Sequence, residues 1–256
     1  MTAGQAPPHL TTGVDEAPTS FAVFENGICF VEPGTVPSPP AAVLFEGHVF
    51  RRFMDFIYLP APADDLTRDQ LITVNRLRAH LVEMCLLAPA NARVKDRLVN
   101  AIRTLGAGSV LEWGCGYRSI ESRLSVDVSY TATDVDPDVV RYQTAHGTRC
   151  FLADELAREV YMTEHDVVLG VFVFHFDIPD RHIAAMHRLL GPDGLVLANI
   201  YRRTKRSRAK LRDAFEAHRF RVLVRPDPDR LCRAHEYWVL HKDTRHSKAR
   251  ALMSAL

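Results

Sequence analysis

Between Ser109 and His241, apolar runs of strand length alternate with helix-length segments, and this alternation constrains the fold more than any other property of the chain. The runs are SVLEW, YTATDV, RCFLAD, DVVLGVFVF and GLVLANI. The segments between them are long enough to cross over a sheet, which is the pattern of βα units in a mostly parallel sheet. The last two runs, FRVLV and EYWVLH, are joined by RPDPDRLCRA, which is too short for a crossover helix, so they pair antiparallel. The expected architecture is an α/β, Rossmann-like, doubly wound sheet of seven strands, five parallel and a closing antiparallel pair.

The N-terminal part is organised differently. Nine of the fifteen prolines fall in the first 65 residues. Residues 1–20 read as a flexible arm. FAVFENGICFV then places Asn26-Gly27 between two apolar runs, a strong hairpin signal because both turn residues tolerate positive φ. AAVLFEGHVFRRF reads as a second pair of short strands around Glu46-Gly47. Thr67 with Gln70 forms a capping box ahead of Leu71, Val74, Leu77 and Leu81, a helix that ends at Pro89. A second helix carries Val94, Leu98 and Ile102 on one stripe and stops at Gly106. The expected division is therefore an arm over 1–20, hairpins and helices forming a substrate lid over 21–106, and the sheet domain over 107–256.

Composition adds exclusions. Apolar residues at 47% and charged residues at 25% belong to a globular chain, not to a disordered one or a coiled coil. No run of 18 apolar residues is present to span a bilayer. The first twenty residues lack the basic and apolar regions of a secretory signal. Five widely separated cysteines without a C-x-x-C pair argue against a zinc site and against a disulfide framework, so no metal and a cytoplasmic location are expected. Residues 201–256 hold 16 Lys/Arg against 6 Asp/Glu. The densest basic run is YRRTKRSRAKLR, Tyr201–Arg212, which is either a footprint for an anionic partner or the solvated face of a helix.

The chemistry concentrates after the first strand of the sheet. SVLEWGCGYRS puts Glu112 at a strand end, followed at once by Gly114-x-Gly116 and a helix start. Glycines let main chain approach a ligand, and a helix start offers free N–H groups. Arg118 stands where a dinucleotide fingerprint has its third glycine. Asp134 ends the second strand, 22 residues after Glu112, placed to bind both hydroxyls of a ribose. Asp154 follows the third strand, 20 residues later, placed to accept from an adenine amino group.

Taken in order, LEWGCGYRS, TATDVDPDVV, FLADEL and LLGPDGLVLA resemble the class I S-adenosylmethionine-dependent methyltransferases. The resemblance runs from Ser109 through the C-terminal strand pair. It implies that S-adenosylmethionine is the cofactor and S-adenosylhomocysteine the product. It implies that Glu112, Trp113, Gly114 and Gly116 cradle the methionine part and that Asp134 holds the ribose. Val135 and Val171 would pack beside the cofactor, with Asp154 and the Glu155 amide on the adenine edge. The departure is Arg118, whose side chain points either to the cofactor carboxylate or to solvent.

His175, in FHF after the fourth strand, lies where the methyl group meets the acceptor, as a general base or as a wall of the pocket. Simpler readings stand beside these. Asp134 and Asp154 can be helix N-caps, and the glycine pair a purely structural turn. The leading functional expectation is methyl transfer to a small molecule, on nitrogen, oxygen or carbon. The run GVFVFHF lacks the (D/N)-P-P-(Y/F) motif of nucleic-acid amino-methylating enzymes. The alternatives are an RNA methyltransferase using Tyr201–Arg212 and a cofactor-binding protein without turnover. Abundant Arg and Ala suit a high-GC bacterium, and the separate N-terminal part suits specialised metabolism.

Overall fold

A computed structural model of the chain describes residues 88–158, 164–201, 203, 205–229, 232, 235–242 and 247–256, with short stretches before them at 11–12, 22–23, 29–30, 43–45, 48–50, 68–69 and 72. The chain divides into two compact units, Met1–Met84 and Cys85–Leu256.

In the first unit, β1 (Thr11–Thr12) pairs antiparallel with β4 (Val43–Phe45), and β4 pairs with β5 (His48–Phe50). β2 (Ala22–Val23) pairs antiparallel with β3 (Cys29–Phe30). The strands of both expected hairpins therefore pair, with Phe45 opposite His48, while the turns expected at Asn26-Gly27 and Glu46-Gly47 lie outside the described residues. Thr11–Thr12 is strand within the segment read as a flexible arm. Arg68, Asp69 and Ile72 are helical, and the rest of the helix expected after Thr67 lies outside the described residues.

The second unit opens with α1 (Ala88–Leu105). Pro89 lies in its first turn, where the missing N–H has no intrahelical partner to lose. This helix belongs to the second unit, and its Val94, Leu98 and Ile102 pack into the sheet's own core. The sheet then follows: β6 (Ser109–Trp113), β7 (Ser129–Asp134), β8 (Cys150–Leu152), β9 (His165–Gly170), β10 (Leu190–Tyr201), β11 (Arg221–Pro226) and β12 (His235–His241). Its order is β8-β7-β6-β9-β10-β12-β11, with β12 antiparallel to both neighbours and the other pairs parallel. Helices α2 (Pro137–Ala145), α3 (Ala153–Arg158), α4 (Asp180–Leu189), α5 (Lys205–Ala217) and α6 (Ser247–Ala255) complete the unit.

Strict alternation along the strands builds two cores. Val110, Val167, Leu169, Leu195, Leu197 and Val239 face α1 and α6. Leu111, Val168, Val196, Ala198, Trp238 and Leu240 face the opposite way, against Ile183 and Met186 of α4 and Leu211 and Phe215 of α5. Strands buried on both faces explain the unbroken apolar runs in the sequence. Gly191–Gly194, the expected turn before the fifth strand, appears as a register shift in β10 between Leu190, opposite His165, and Leu195, opposite Val167.

β9 stops at Gly170, short of the run to Phe174 expected from the sequence. The Phe174 ring folds back over Gly170 so closely that a Cβ there would lie 2.4 Å from it. Phe172 takes φ +56, which turns the chain out of the sheet. Among the described residues, no helix is long and apolar enough to cross a membrane.

Candidate functional site

Strand order reverses at β6: β7 and β8 lie to one side, β9 and β10 to the other. Open α/β sheets bind ligands outside the carboxyl ends of strands at such a point. Here that point is occupied by the glycine turn after β6.

Gly114 has φ +74 and Gly116 has φ +61, conformations that residues with a Cβ adopt at a cost. The amides of Gly114 and Cys115 both donate to the Thr133 carbonyl, each at 2.9 Å, so the turn is strapped to the end of β7. At Gly114 an added Cβ would lie 2.6 Å from Val173 Cγ2, whereas at Gly116 it would meet no atom within 4 Å. One glycine thus permits close packing, and the other presents bare main chain to open space.

The two acids flanking the turn are buried, each 1% exposed. Glu112 accepts from the Ile120 amide at 2.9 Å and from the Tyr130 hydroxyl. Burial raises its pKa, opposed by the nearby Lys95 ammonium and by these two hydrogen bonds. Asp134 accepts from the Gly116 amide at 2.9 Å through Oδ2 and from the Asp136 amide at 3.0 Å through Oδ1. Burial pushes its carboxyl up to about 6, against the opposing pull of these amides. A carboxylate has about four acceptor positions, and the Gly116, Asp136 and Val135 amides leave only part of that capacity for a ligand. Asp136, not Asp134, caps α2, accepting from the Asp138 amide at 2.9 Å.

Asp154 lies in the first turn of α3 and not in a loop after β8. It accepts from Arg181 Nε at 3.0 Å, Arg181 Nη2 at 2.8 Å and His182 Nε2 at 2.7 Å. Desolvation works against its charge, but Arg181 and His182 hold the carboxyl down to about 2. Glu155 is exposed beside it and Val135 is half-buried. The Trp113 ring, 5.4 Å from the His182 ring, is buried in one core and Val171 in the other, so these two residues offer a ligand main chain alone. The Arg118 side chain is exposed, while its carbonyl accepts from Lys95 Nζ.

His175 is 3% exposed, and its Nδ1 accepts from the Tyr201 amide at 3.1 Å. A neutral ring with Nδ1 so used carries its proton on Nε2. Around it, the rings of Phe172, His175, Tyr201 and His235 form a closed circuit, with centroids 6.1, 5.7, 4.3 and 5.7 Å apart in turn.

Residues not singled out in the sequence hold this ring cluster in place. Asn199 is fully buried; it accepts from the Phe172 amide at 2.7 Å and its amide nitrogen lies 3.2 Å from His235 Nδ1. A lone amide inside the apolar run GLVLANI was its sequence signal. Arg203 donates to the Phe174 and Phe176 carbonyls, both at 2.9 Å, and to Ser207 Oγ at 2.7 Å. Three of the seven cations in the basic run have partners within the fold: Arg203 is buried, Arg208 pairs with Glu236, and Lys210 pairs with Asp177 at 2.7 Å.

No protein-family model and no curated protein sequence matches the chain. Solved structures do. A TehB-like S-adenosylmethionine-dependent methyltransferase from Corynebacterium glutamicum aligns at 18% identity and TM-score 0.50, covering 66% of this chain and 98% of its own. The N-methyltransferase NodS from Bradyrhizobium japonicum, in complex with S-adenosylhomocysteine, aligns at 13% identity and TM-score 0.45, over 59% of this chain and 86% of its own. Magnesium protoporphyrin IX methyltransferase from Synechocystis, with bound S-adenosylmethionine, aligns at 14% identity and TM-score 0.44, over 59% and 80%. With the strand order and the antiparallel β12 in place, the chain has the fold of the class I S-adenosylmethionine-dependent methyltransferases.

Proposed function

We propose that this chain is an enzyme that binds S-adenosylmethionine at the carboxyl edge of β6 and β7 and transfers its methyl group to a small molecule. The observation that carries this reading is the positive-φ Gly114/Gly116 turn joined through the Gly116 amide to Asp134, at the point where strand order reverses. The residues present fit the cofactor: bare main chain at Gly116 and the remaining acceptor capacity of Asp134. When bound, the cofactor supplies an electrophilic methyl on a sulfonium.

The roles of the chain's own groups follow from their places. The turn binds the amino-acid end of the cofactor, and Glu112 anchors the turn through the Ile120 amide. Asp134 accepts from the ribose hydroxyls while its own amide bonds keep it oriented. Val135 packs on the adenine, and the Glu155 amide and Asp154 stand at its edge. Arg181 and His182 hold one Asp154 oxygen and so fix the carboxylate at the adenine edge.

His175 forms a wall of the acceptor crevice and does not act as a base, since its Nδ1 is committed to the Tyr201 amide. Deprotonation then rests with the acceptor's own pKa, and the protein supplies alignment and exclusion of water. A small-molecule acceptor is favoured over RNA because three of the seven cations of Tyr201–Arg212, namely Arg203, Arg208 and Lys210, have partners within the fold. Transfer of labelled methyl to a panel of amines, phenols and alcohols, with RNA as the competing substrate, tests this reading. Labelling of RNA alone, with a steep salt dependence, would replace it by the RNA reading.

A further inference from the structure

We propose that Cys115 and Cys150 are a thiol pair that switches cofactor binding, releasing the cofactor when a hydroperoxide joins them as a disulfide. The proposal rests on the cofactor site argued above.

Cys115 is the residue between the two positive-φ glycines, and Cys150 opens β8, opposite Ala132 of β7. Their sulfurs lie 3.9 Å apart, and both side chains are buried against Ala132 and Val139. This places one thiol inside the ligand turn and its partner on a fixed strand. Cys232 belongs to the core on the α1 face.

A disulfide needs sulfurs about 2 Å apart, so closing the pair requires movement. β8 is held by its ladder to β7, whereas the turn is bounded by Gly114 and Gly116, whose main chain rotates most easily. The displacement therefore falls on the turn. It pulls on the Gly114 and Cys115 amides, both 2.9 Å from the Thr133 carbonyl, and on the Gly116 amide, 2.9 Å from Asp134 Oδ2. Those bonds shape the cradle. A turn drawn toward β8 no longer presents Gly116 to the ligand.

The chemistry balances with one equivalent of hydroperoxide. One cysteine, as thiolate, attacks the peroxide oxygen; the O–O bond breaks, and a sulfenic acid forms with release of water or alcohol. The second thiol attacks that sulfur, the S–O bond breaks and water leaves with the proton. Two thiols are oxidised by two electrons, and a dithiol reductant reverses the step. The hydrogen bond to Cys150 and burial push the Cys115 thiol up in the closed turn, so oxidation proceeds through its transient opening. Cofactor held in the turn suppresses that opening, and by linkage oxidation and binding oppose each other equally.

The test is calorimetric titration of S-adenosylhomocysteine into the full chain, reduced and after hydrogen peroxide, with peptide mapping by mass spectrometry. The reduced protein is expected to bind, and oxidation to link Cys115 to Cys150 and weaken binding about tenfold or more. Dithiothreitol restores it. C150S should bind as the reduced wild type does and lose nothing after the same treatment. Ligand at 100 times its Kd should slow disulfide formation about 100-fold. A disulfide that leaves affinity unchanged, a peroxide-treated protein without the 115–150 link, or an equal loss in C150S each overturns the switch while leaving the cofactor site standing. Failure of the reduced protein to bind overturns both.

Discussion

Gly114 and Gly116 share a backbone conformation but not an environment, and substitution separates what each does. Alanine at either position pays about 1–2 kcal/mol for positive φ. G114A also drives a Cβ to within 2.6 Å of the Val173 side chain, so it should destabilise the fold further and shift its melting point clearly. G116A meets no atom within 4 Å, so its stability loss should stay near the backbone cost while cofactor affinity falls. Thermal melts and titrations on both variants check this; equal stability losses would contradict the geometry. Asp134 adds a pH dependence. Its folded pKa, about 6, lies above the unfolded value near 4. The stability it contributes is full below pH 4 and is lost as pH rises through 6, about 3 kcal/mol in all. Ribose hydroxyls favour the ionised form, so cofactor affinity should fall about tenfold for each pH unit below 6. Asp154, held near 2, stays ionised throughout that range and contributes no such slope. A pH series of titrations on wild type and D134N decides the point; a slope surviving in D134N would assign it to another group.

At the level of elements, the C-terminal helix α6 was not expected from the sequence, yet it is part of the core. Ala249, Leu252 and Leu256 pack with α1, and Arg97 of α1 donates to the Leu256 carbonyl at 2.5 Å. L252A should cost about 2–4 kcal/mol by urea denaturation, and a loss under 0.5 would mean that α6 is peripheral. The helix was missed because SKARALMSA is short and half polar, with no capping residue pattern to mark it. The central strands were legible because β9 and β10 are buried on both faces and so read as near-continuous apolar runs, and the outer ones by their spacing from these. What the pattern could not show was where a run leaves the sheet: VFVF continues β9 in composition, but the Phe172 conformation, secured by Asn199, ends it. The same holds for the site. Glu112, the glycines and Asp134 were legible from order and spacing, whereas the partners of Asp154 came from α4, 27 and 28 residues away. Spacing carries no information about such pairings.

For the whole molecule, the division at Met84/Cys85 makes a prediction that the sequence alone placed elsewhere. The second unit contains the complete sheet, both cores and every residue proposed to touch the cofactor. A chain beginning at Cys85 should fold and bind S-adenosylhomocysteine with the affinity of the full protein, whereas one beginning at residue 107 should not, because it loses Val94, Leu98 and Ile102 from one core. Circular dichroism melts and titration compare the two directly. Equal stability of both would mean that α1 is dispensable and that the boundary lies where the sequence first suggested.

The most direct test of the central claim is calorimetric titration of S-adenosylhomocysteine into the reduced wild-type protein and D134A at pH 7.5. The account predicts one ligand per chain for the wild type, and an affinity weakened in D134A by about 1–3 kcal/mol, or roughly fivefold to 150-fold, through loss of the ribose hydrogen bonds. Absence of binding to the wild type, or equal affinity in the two proteins, would contradict it.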